Sequence, residues 1–584
     1  MKPSIKILWN VRIPMRDGVT LSARVYCPHP SDPQPVILTM TPYGADHYHS
    51  RAMYFAGHGY NFAIVDCRGR GDSEGDFIPD VTDAADGYDT VEFLAAQPWC
   101  DGQVAMWDGS YSGDNQWKTL RARPPHLKTI IPAAASHLPA EYVFGGPVRS
   151  RYALQWLALV SGRSASSFNL FDESKIWIDA YTAHFLSGRP FNELEAFVGK
   201  TSRHFQEWIR HPRHHPYWKR FAFCPDDFRC FDDVPFLTIA GQYDESQRGS
   251  LYYLREHERH ASARNHFAVI GAWDHAGTRT AERRVGGADF GEAASIDLNQ
   301  LHLEWYDWVM KGGKRPTFLR DRIACYVTGS GEWRYATSFN EIGTQKRTLY
   351  LSNNGVHNND VFHAGDLQEN LPAESPPDEY VFDPRDTRIA EVEQMPFVNW
   401  LTNQRYDLNL FGNGLVYHTA PFDNDVTLGG YVTLTLYLQM DVPDADFQVT
   451  LSEVAADGSY LKLTDDFLRA RYRNGLDGEV FCQPDQINRY EIHGLHLLCP
   501  PNQKRQPPAP GGEMPQLHLP AKELSGRRKR GCRIHCRCPH RPHSPLSRPQ
   551  PPQPSATPSH LQFPLCPTSP PATAVLKPAC PPTP

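Results

Sequence analysis

The sequence contains no uncharged apolar run of 18 residues, so nothing in it has the length of a membrane-spanning helix. Its first residues, MKPSIKILWNVRIPMRDG, hold no apolar stretch of signal-peptide length, and a soluble cytoplasmic chain is expected, with no membrane partner. Cysteines number 13 in 584 residues, and the seven before Cys499 (Cys27, Cys67, Cys100, Cys224, Cys230, Cys325 and Cys482) stand singly. That scatter argues against a disulfide framework and offers no paired ligands, so neither a metal nor another cofactor is expected. Basic charge is scarce where it would matter for phosphate contacts. Residues 500–584 take 12 of the 59 Lys/Arg but 2 of the 66 Asp/Glu, which leaves a body with 47 basic against 64 acidic groups, a net −17. Non-specific nucleic-acid binding by the body is thereby set aside. The glycine-rich RGRGDSEG at 68–75 lacks the Gly-Lys-Ser/Thr ending of a phosphate loop and reads as a turn.

What is present is a chain long enough for two or three domains with sizeable cores. Up to about residue 145, apolar strand candidates VILTMTPY (36–43), NFAIVDC (61–67), QVAMW (103–107) and LKTIIPAAA (127–135) alternate with helical or looped segments. This rhythm predicts an α/β fold with a parallel sheet. Residues 146–225, rich in Trp, Tyr, His and Arg, read as an inserted helical cap. The strand rhythm resumes over 226–313 with VPFLTIAGQYD and RNHFAVIGAWDH, and the helix NQLHLEWYDWVMKGG closes the region. From 315 to 498, alternating runs such as RTLYLS, GYVTLTLYLQM and DFQVTLSEV predict an all-β antiparallel sandwich. Residues 499–584 hold 23 of the 51 prolines and six cysteines, without an apolar period, and a disordered tail is expected there.

Within AMWDGSYSGDNQW (105–117), Ser110 falls on the turn between a strand and a helix. A serine so placed projects its hydroxyl above the edge of a parallel sheet, with a helix N-terminus behind it. A nucleophile needs a base and a group that orients the base, in the chain order Ser, acid, His. Asp244 ends FLTIAGQYD and His275 ends HFAVIGAWDH, and carboxyl ends of parallel strands open onto one edge. Singly, such an Asp is usually a turn former and one His among 26 a packing residue. Asp274 and Glu245 are rival acids, but a side chain adjacent to His275 in sequence rarely faces its ring.

These stretches, with VRIPMRDGVTLSARVYCP, TPYG, VDCRGRGDSEG, DGYDTVEFLAAQPWCDGQVAMWDGSYSG, YVTGSGEWR and DGSYLKLTDDFLRARYR, resemble the CocE/NonD serine hydrolases, the cocaine-esterase and X-Pro dipeptidyl-peptidase-like family, over residues 8 to 480. The resemblance implies an α/β-hydrolase domain, a helical cap and a C-terminal jelly roll, with Ser110, Asp244 and His275 as the triad. It also implies an oxyanion-hole role for Tyr43 in TPYG. Two donors are needed for a tetrahedral intermediate, and the backbone N–H of Tyr111 supplies one.

Three features depart from the family pattern. Asp108 stands two residues before the nucleophile, in the place of a small glycine, where a carboxylate could crowd the turn or bias the charge on His275. Ala272 replaces a common proline. The resemblance fades after NRYEIHGLHLL, and the segment that follows reads as an extension or as a shift of reading frame. Within it, GRRKRG (526–531) and CRIHCRCPH (532–540) have the look of a nuclear signal and a metal clip, though such patterns are usually solvated composition.

The function expected is cleavage of small-molecule esters, or of amides, through an acyl-enzyme. A dipeptidyl peptidase acting on short X-Pro peptides is the alternative; it would need cap carboxylates to hold an amine, and Asp172, Glu173, Asp179, Glu193, Glu195 and Glu207 are no denser than on a solvated helix. A non-catalytic glycan- or partner-binding protein, its elbow disabled by Asp108, is the third reading.

Overall fold

The computed structural model describes residues 4–497 apart from 29–31, 142–150, 164–170, 172, 213–214, 344, 354, 356, 361, 374, 384–385, 387, 389–398, 407 and 485, together with 531–537 and 560–562. Its first domain is built on a ten-stranded sheet in the order β1-β2-β4-β3-β5-β6-β7-β8-β11-β12. These are Lys6–Pro14 (β1), Thr20–Cys27 (β2), Gln34–Thr41 (β3), Asn61–Asp66 (β4), Cys100–Gly109 (β5), Leu127–Ala133 (β6), Phe236–Gly241 (β7) and His266–Gly271 (β8). After a two-stranded ribbon of Arg284–Val285 (β9) and Ala288–Asp289 (β10) come Ile323–Val327 (β11) and Glu332–Ala336 (β12). All pairings from β4 to β11 are parallel, and β1, β2 and β12 add antiparallel edges.

The central strands read as unbroken apolar runs because both faces are covered. Along β3, Val36, Leu38 and Met40 face one core with Val91, Leu94, Trp117 and Leu120 from helices Asp83–Ala95 (α2) and Tyr111–Ala122 (α3). Ile37 faces the opposite core, with Phe55 of His49–Ala56 (α1) and Leu301, Trp305 and Tyr306 of the helix Leu298–Met310. The period of two thus sorts one strand into two cores. Between β6 and β7 the chain makes an excursion of short helices, including Tyr152–Leu159, Ser174–Ser187 and Arg203–Arg210.

The sheet runs past residue 313, where the strand-and-helix rhythm suggested its end. Ile323–Val327 is buried throughout and pairs in parallel with β8, Ile323 opposite Ala268. A short apolar strand looks alike in a parallel sheet and in a sandwich, so periodicity could not assign it.

The second domain is a nine-stranded sheet of Thr348–Ser352 (β13), Gly365–Gln368 (β14), Gly414–Thr419 (β15), Gly430–Leu438 (β16), Asp446–Val454 (β17), Tyr460–Arg469 (β18), Asn488–Leu497 (β19), Gly531–Arg537 (β20) and His560–Gln562 (β21). Its order is β18-β17-β20-β15-β14-β13-β21-β16-β19. All its pairings are antiparallel except β14 with β15. Two strands therefore come from the stretch expected to be a disordered tail: β20 lies between β15 and β17, and β21 between β13 and β16. The expectation does not extend to these segments. The remainder of 499–584, with most of GRRKRG, lies outside the described residues.

Candidate active site

The carboxyl ends of β3, β5, β7 and β8 bring Tyr43, Ser110, Asp244 and His275 to one edge of the sheet. At the end of β5 the backbone of Ser110 is bent to φ 64°, ψ −130°. A non-glycine residue in such a region costs about 1–3 kcal/mol and persists only where its surroundings over-determine it. Here they do. Ser110 N donates to Ala133 O at 2.9 Å, and the N–H groups of Gly113 and Asp114 both donate to Ser110 O. Gly113 lets α3 settle this close, since a Cβ on it would stand 2.8 Å from Ala133 O.

Tyr111, the first residue of α3, has a backbone N–H without an intrahelical acceptor, as all first-turn residues do. Its side chain is tied down behind the site. The phenol donates to Asp83 Oδ2 at 2.7 Å and accepts from Asp80 N, and the ring stacks on Trp156 with centroids 5.5 Å apart. Burial raises the Asp83 carboxyl to about 7. Beneath it, the buried Lys118 ammonium pairs with Asp80 and Asp114, and burial pulls its pKa well down.

His275 Nδ1 lies 2.8 Å from Asp244 Oδ1, which also accepts from Ser246 N at 3.0 Å. The Asp244 side chain is fully buried, whereas that of His275 is 42% exposed, so one face of the imidazole is fixed and the other is open. Of the rival acids, Asp274 caps its own turn by accepting from Gly277 N. Glu245 has its carboxyl raised by burial, an effect that the nearby His275 partly offsets.

The Tyr43 phenol accepts from Trp156 Nε1 at 3.2 Å and hydrogen-bonds with Ser110. Burial raises its pKa; those two hydrogen bonds and the Arg279 charge act in the opposite direction. Trp156 stacks in turn on Trp208 of the excursion, so helices above the sheet help to position the phenol. Sequence reasoning placed Trp156 only among the aromatics of the cap; an indole that serves a phenol 113 residues away leaves no local signature.

Asp108 does not crowd the turn. It is buried, its carboxylate accepts from Gly109 N and Thr39 Oγ1, and it pairs with Arg279. The elbow forms with the carboxylate in place.

Among the cap acids, Asp179 pairs with Lys175, Glu193 with Arg189, and Glu195 accepts from Ser202 N, while Glu207 lies 3.6 Å from His211. Glu173 is exposed, and Asp172 lies outside the described residues. Among the described residues no group of three or more His, Cys, Asp or Glu side chains could hold a metal ion, and no helix is long and apolar enough to cross a membrane. The side chains of CRIHCRCPH lie outside the described residues.

Residues 17–277 match the family model of the X-Pro dipeptidyl-peptidase (S15 family), and residues 305–494 that of the X-Pro dipeptidyl-peptidase C-terminal non-catalytic domain. Cocaine esterase of Rhodococcus sp. (strain MB1 Bresler) is 28% identical over 521 residues, which cover 84% of this chain and 88% of that protein. Two solved structures share the fold. One is an aminopeptidase from the marine sediment archaeon Thaumarchaeota archaeon (TM-score 0.71, 20% identity, 96% of this chain and 94% of that one). The other is a CocE/NonD family hydrolase from Staphylococcus aureus (TM-score 0.60, 14% identity, 96% and 95%). A catalytic-domain model and a C-terminal-domain model of the X-Pro dipeptidyl-peptidases matched in that order, together with an esterase relative aligned along most of both chains, support a serine hydrolase acting on esters or peptides.

Proposed function

We propose that the chain is a carboxylesterase in which Ser110, His275 and Asp244 form the catalytic triad. Ser110 Oγ attacks the substrate carbonyl while His275 takes its proton. Asp244 holds Nδ1 and stabilises the imidazolium. The oxyanion accepts from the Tyr43 phenol and the Tyr111 N–H, and α3 directs its positive end toward the developing charge. His275 then protonates the leaving alcohol, and water, activated by the same histidine, releases the acid from the acyl-enzyme. The observation that carries this reading is the 2.8 Å contact of His275 Nδ1 with a fully buried Asp244, at the same sheet edge as a strained Ser110, with β6 between their strands.

The substrate class is an ester small enough to pass under the helices between β6 and β7, a choice favoured by the cocaine esterase relative. The match to the X-Pro dipeptidyl-peptidase model favours a second reading, release of X-Pro dipeptides. Against it, the described cap acids named above are exposed or engaged locally rather than gathered to meet an amine. A cytoplasmic location is part of the proposal; the seven described cysteines, all free, are in keeping with a reducing compartment.

Purified protein assayed on p-nitrophenyl esters and X-Pro nitroanilides side by side decides between the two substrates. A fluorophosphonate should label Ser110 alone. Wild-type protein that stays unlabelled and inactive on both substrate sets would sink the triad assignment.

A further inference from the structure

The family pattern has glycine two residues before the nucleophile, and Asp108 stands there with φ 127°, a conformation that disfavours any side chain. What the carboxylate does in return is visible around it. Its Oδ1 accepts from Gly109 N at 2.7 Å and from Arg279 Nε at 3.3 Å, and its Oδ2 accepts from Thr39 Oγ1 at 3.3 Å. Tyr48 also hydrogen-bonds it, and Gln116 Nε2 donates to its backbone carbonyl at 3.0 Å.

Arg279 reaches both sides of the site. Its Nη1 donates to the backbone carbonyl of His275 at 3.0 Å, four residues earlier in the loop after β8. Its own carbonyl accepts from Arg51 Nη2 at 3.1 Å. The guanidinium packs closely against the elbow: a Cβ on Gly109 would stand 2.9 Å from both Cζ and Nε. The side-chain-free position of the elbow is thus shifted from residue 108 to residue 109, and the space it leaves is filled by a cation.

We propose that Asp108 and Arg279 are a positioning pair that ties the Ser110 elbow to the loop carrying His275, so that nucleophile and base keep their register. The proposal rests on the triad reading above. The buried Asp108 carboxylate holds the partly buried guanidinium by its Nε, leaving Nη1 to fix the histidine loop. Lysine could keep the charge but not both contacts, because it offers a point charge rather than a planar fork.

The test is kcat per active site, with sites counted by fluorophosphonate titration, for Arg279→Ala, Arg279→Lys and Asp108→Gly. For Arg279→Ala, kcat should fall on the order of 10²-fold with KM little changed, as expected when nucleophile and base are misplaced by about an ångström. Added guanidinium ion should restore part of that loss. Arg279→Lys, which keeps a cation beside the buried Asp108 carboxylate and so is the safer variant for folding, should show a smaller fall in kcat and a near-wild-type melting temperature. The double variant Asp108→Gly/Arg279→Ala should lose no more than Arg279→Ala alone, because the two act as one unit. Wild-type kcat per titrated site in Arg279→Lys and Arg279→Ala would overturn the pair's positioning role while leaving the triad intact. Failure of the wild-type protein to label at Ser110 would overturn the triad and this inference with it.

Discussion

The hydrolase sheet draws its ten strands from residues 6–336, and its neighbours from β3 to β8 are mostly joined by single crossovers, whereas the β domain seats strands near its middle that come from far along the chain. In the first, β7 follows β6 in space despite the excursion of about 100 residues between them, because both faces of the sheet were already committed to burial. In the second, β15 and β17 do not pair with each other; Gly531–Arg537 stands between them. The parallel sheet concentrates chemistry at one edge. The antiparallel sheet contributes closure, and its cost is the loop entropy of distant pairings.

That contrast can be broken or sharpened by experiment. The largest effect should come from Ser110→Ala, which should remove ester turnover by on the order of 10⁴-fold or more without lowering the melting temperature, since it relieves no buried contact beyond one hydroxyl. Substantial residual turnover would move the chemistry off the hydrolase edge. Tyr43→Phe should lower kcat by on the order of 10²- to 10³-fold at similar KM, as loss of one oxyanion donor does. A change confined to KM would make the phenol a substrate contact instead.

Ending the chain at residue 498 removes β20 and β21 from inside the second sheet and leaves the hydrolase edge untouched. The β domain should then melt earlier by several degrees, given that ~1 kcal/mol moves the midpoint of a domain of this size by roughly 2–4 °C. Ester hydrolysis at 25 °C should persist. An unchanged thermogram would show that the inserted strands add nothing to the sheet.

The last prediction concerns acid. His302 is buried in the hydrolase core, accepts from Trp107 Nε1 at 3.1 Å, and is held down to about 3 by burial and, secondarily, by Arg51; His257 is likewise held down to about 4 by burial. An unfolded histidine titrates near ~6.5, so stability from these neutral rings is present above that value and is lost as pH falls toward 4 and then 3. Each ring steepens the loss by up to about 1.4 kcal/mol per pH unit. Calorimetry between pH 7 and 4 should show the hydrolase transition shifting downward, and His302→Gln should flatten it. An acid dependence unaffected by that substitution would assign the effect elsewhere.

The residues at the strand ends were legible in sequence for a definite reason. Ser110, Asp244 and His275 each follow an apolar run whose length and composition announce a buried strand, and buried parallel strands end at a common edge. Arg279 was not legible. Asp108 was visible as an anomaly, but its partner lies 171 residues away and follows no period. Trp156 was lost among cap aromatics for the same reason. The strands β11 and β12 carried the right secondary structure and the wrong sheet, because a five-residue apolar run does not say which neighbour it will pair with. In β20, GCRIHCR alternates Cys532, Ile534 and Cys536 with Arg533, His535 and Arg537, but the run is short and the Pro- and Arg-rich composition around it masked the strand.

By itself, then, the amino-acid order determined local geometry and chemistry: a serine on a strand-to-helix turn, an acid and a histidine at strand ends in the order a hydrolase needs, and a phenol at the end of β3. These follow from short-range periodicity and from the few conformations a turn permits. Only the tertiary structure decided which groups serve those residues. The indole of Trp156 on Tyr43, the Asp83 carboxylate and the Asp80 N–H on the Tyr111 phenol, and the Asp108–Arg279 pair beneath the elbow are contacts between segments remote in sequence. Nothing short-range selects such partners; packing both faces of a ten-stranded sheet does, because each buried polar group must find its counterpart where the fold happens to place one.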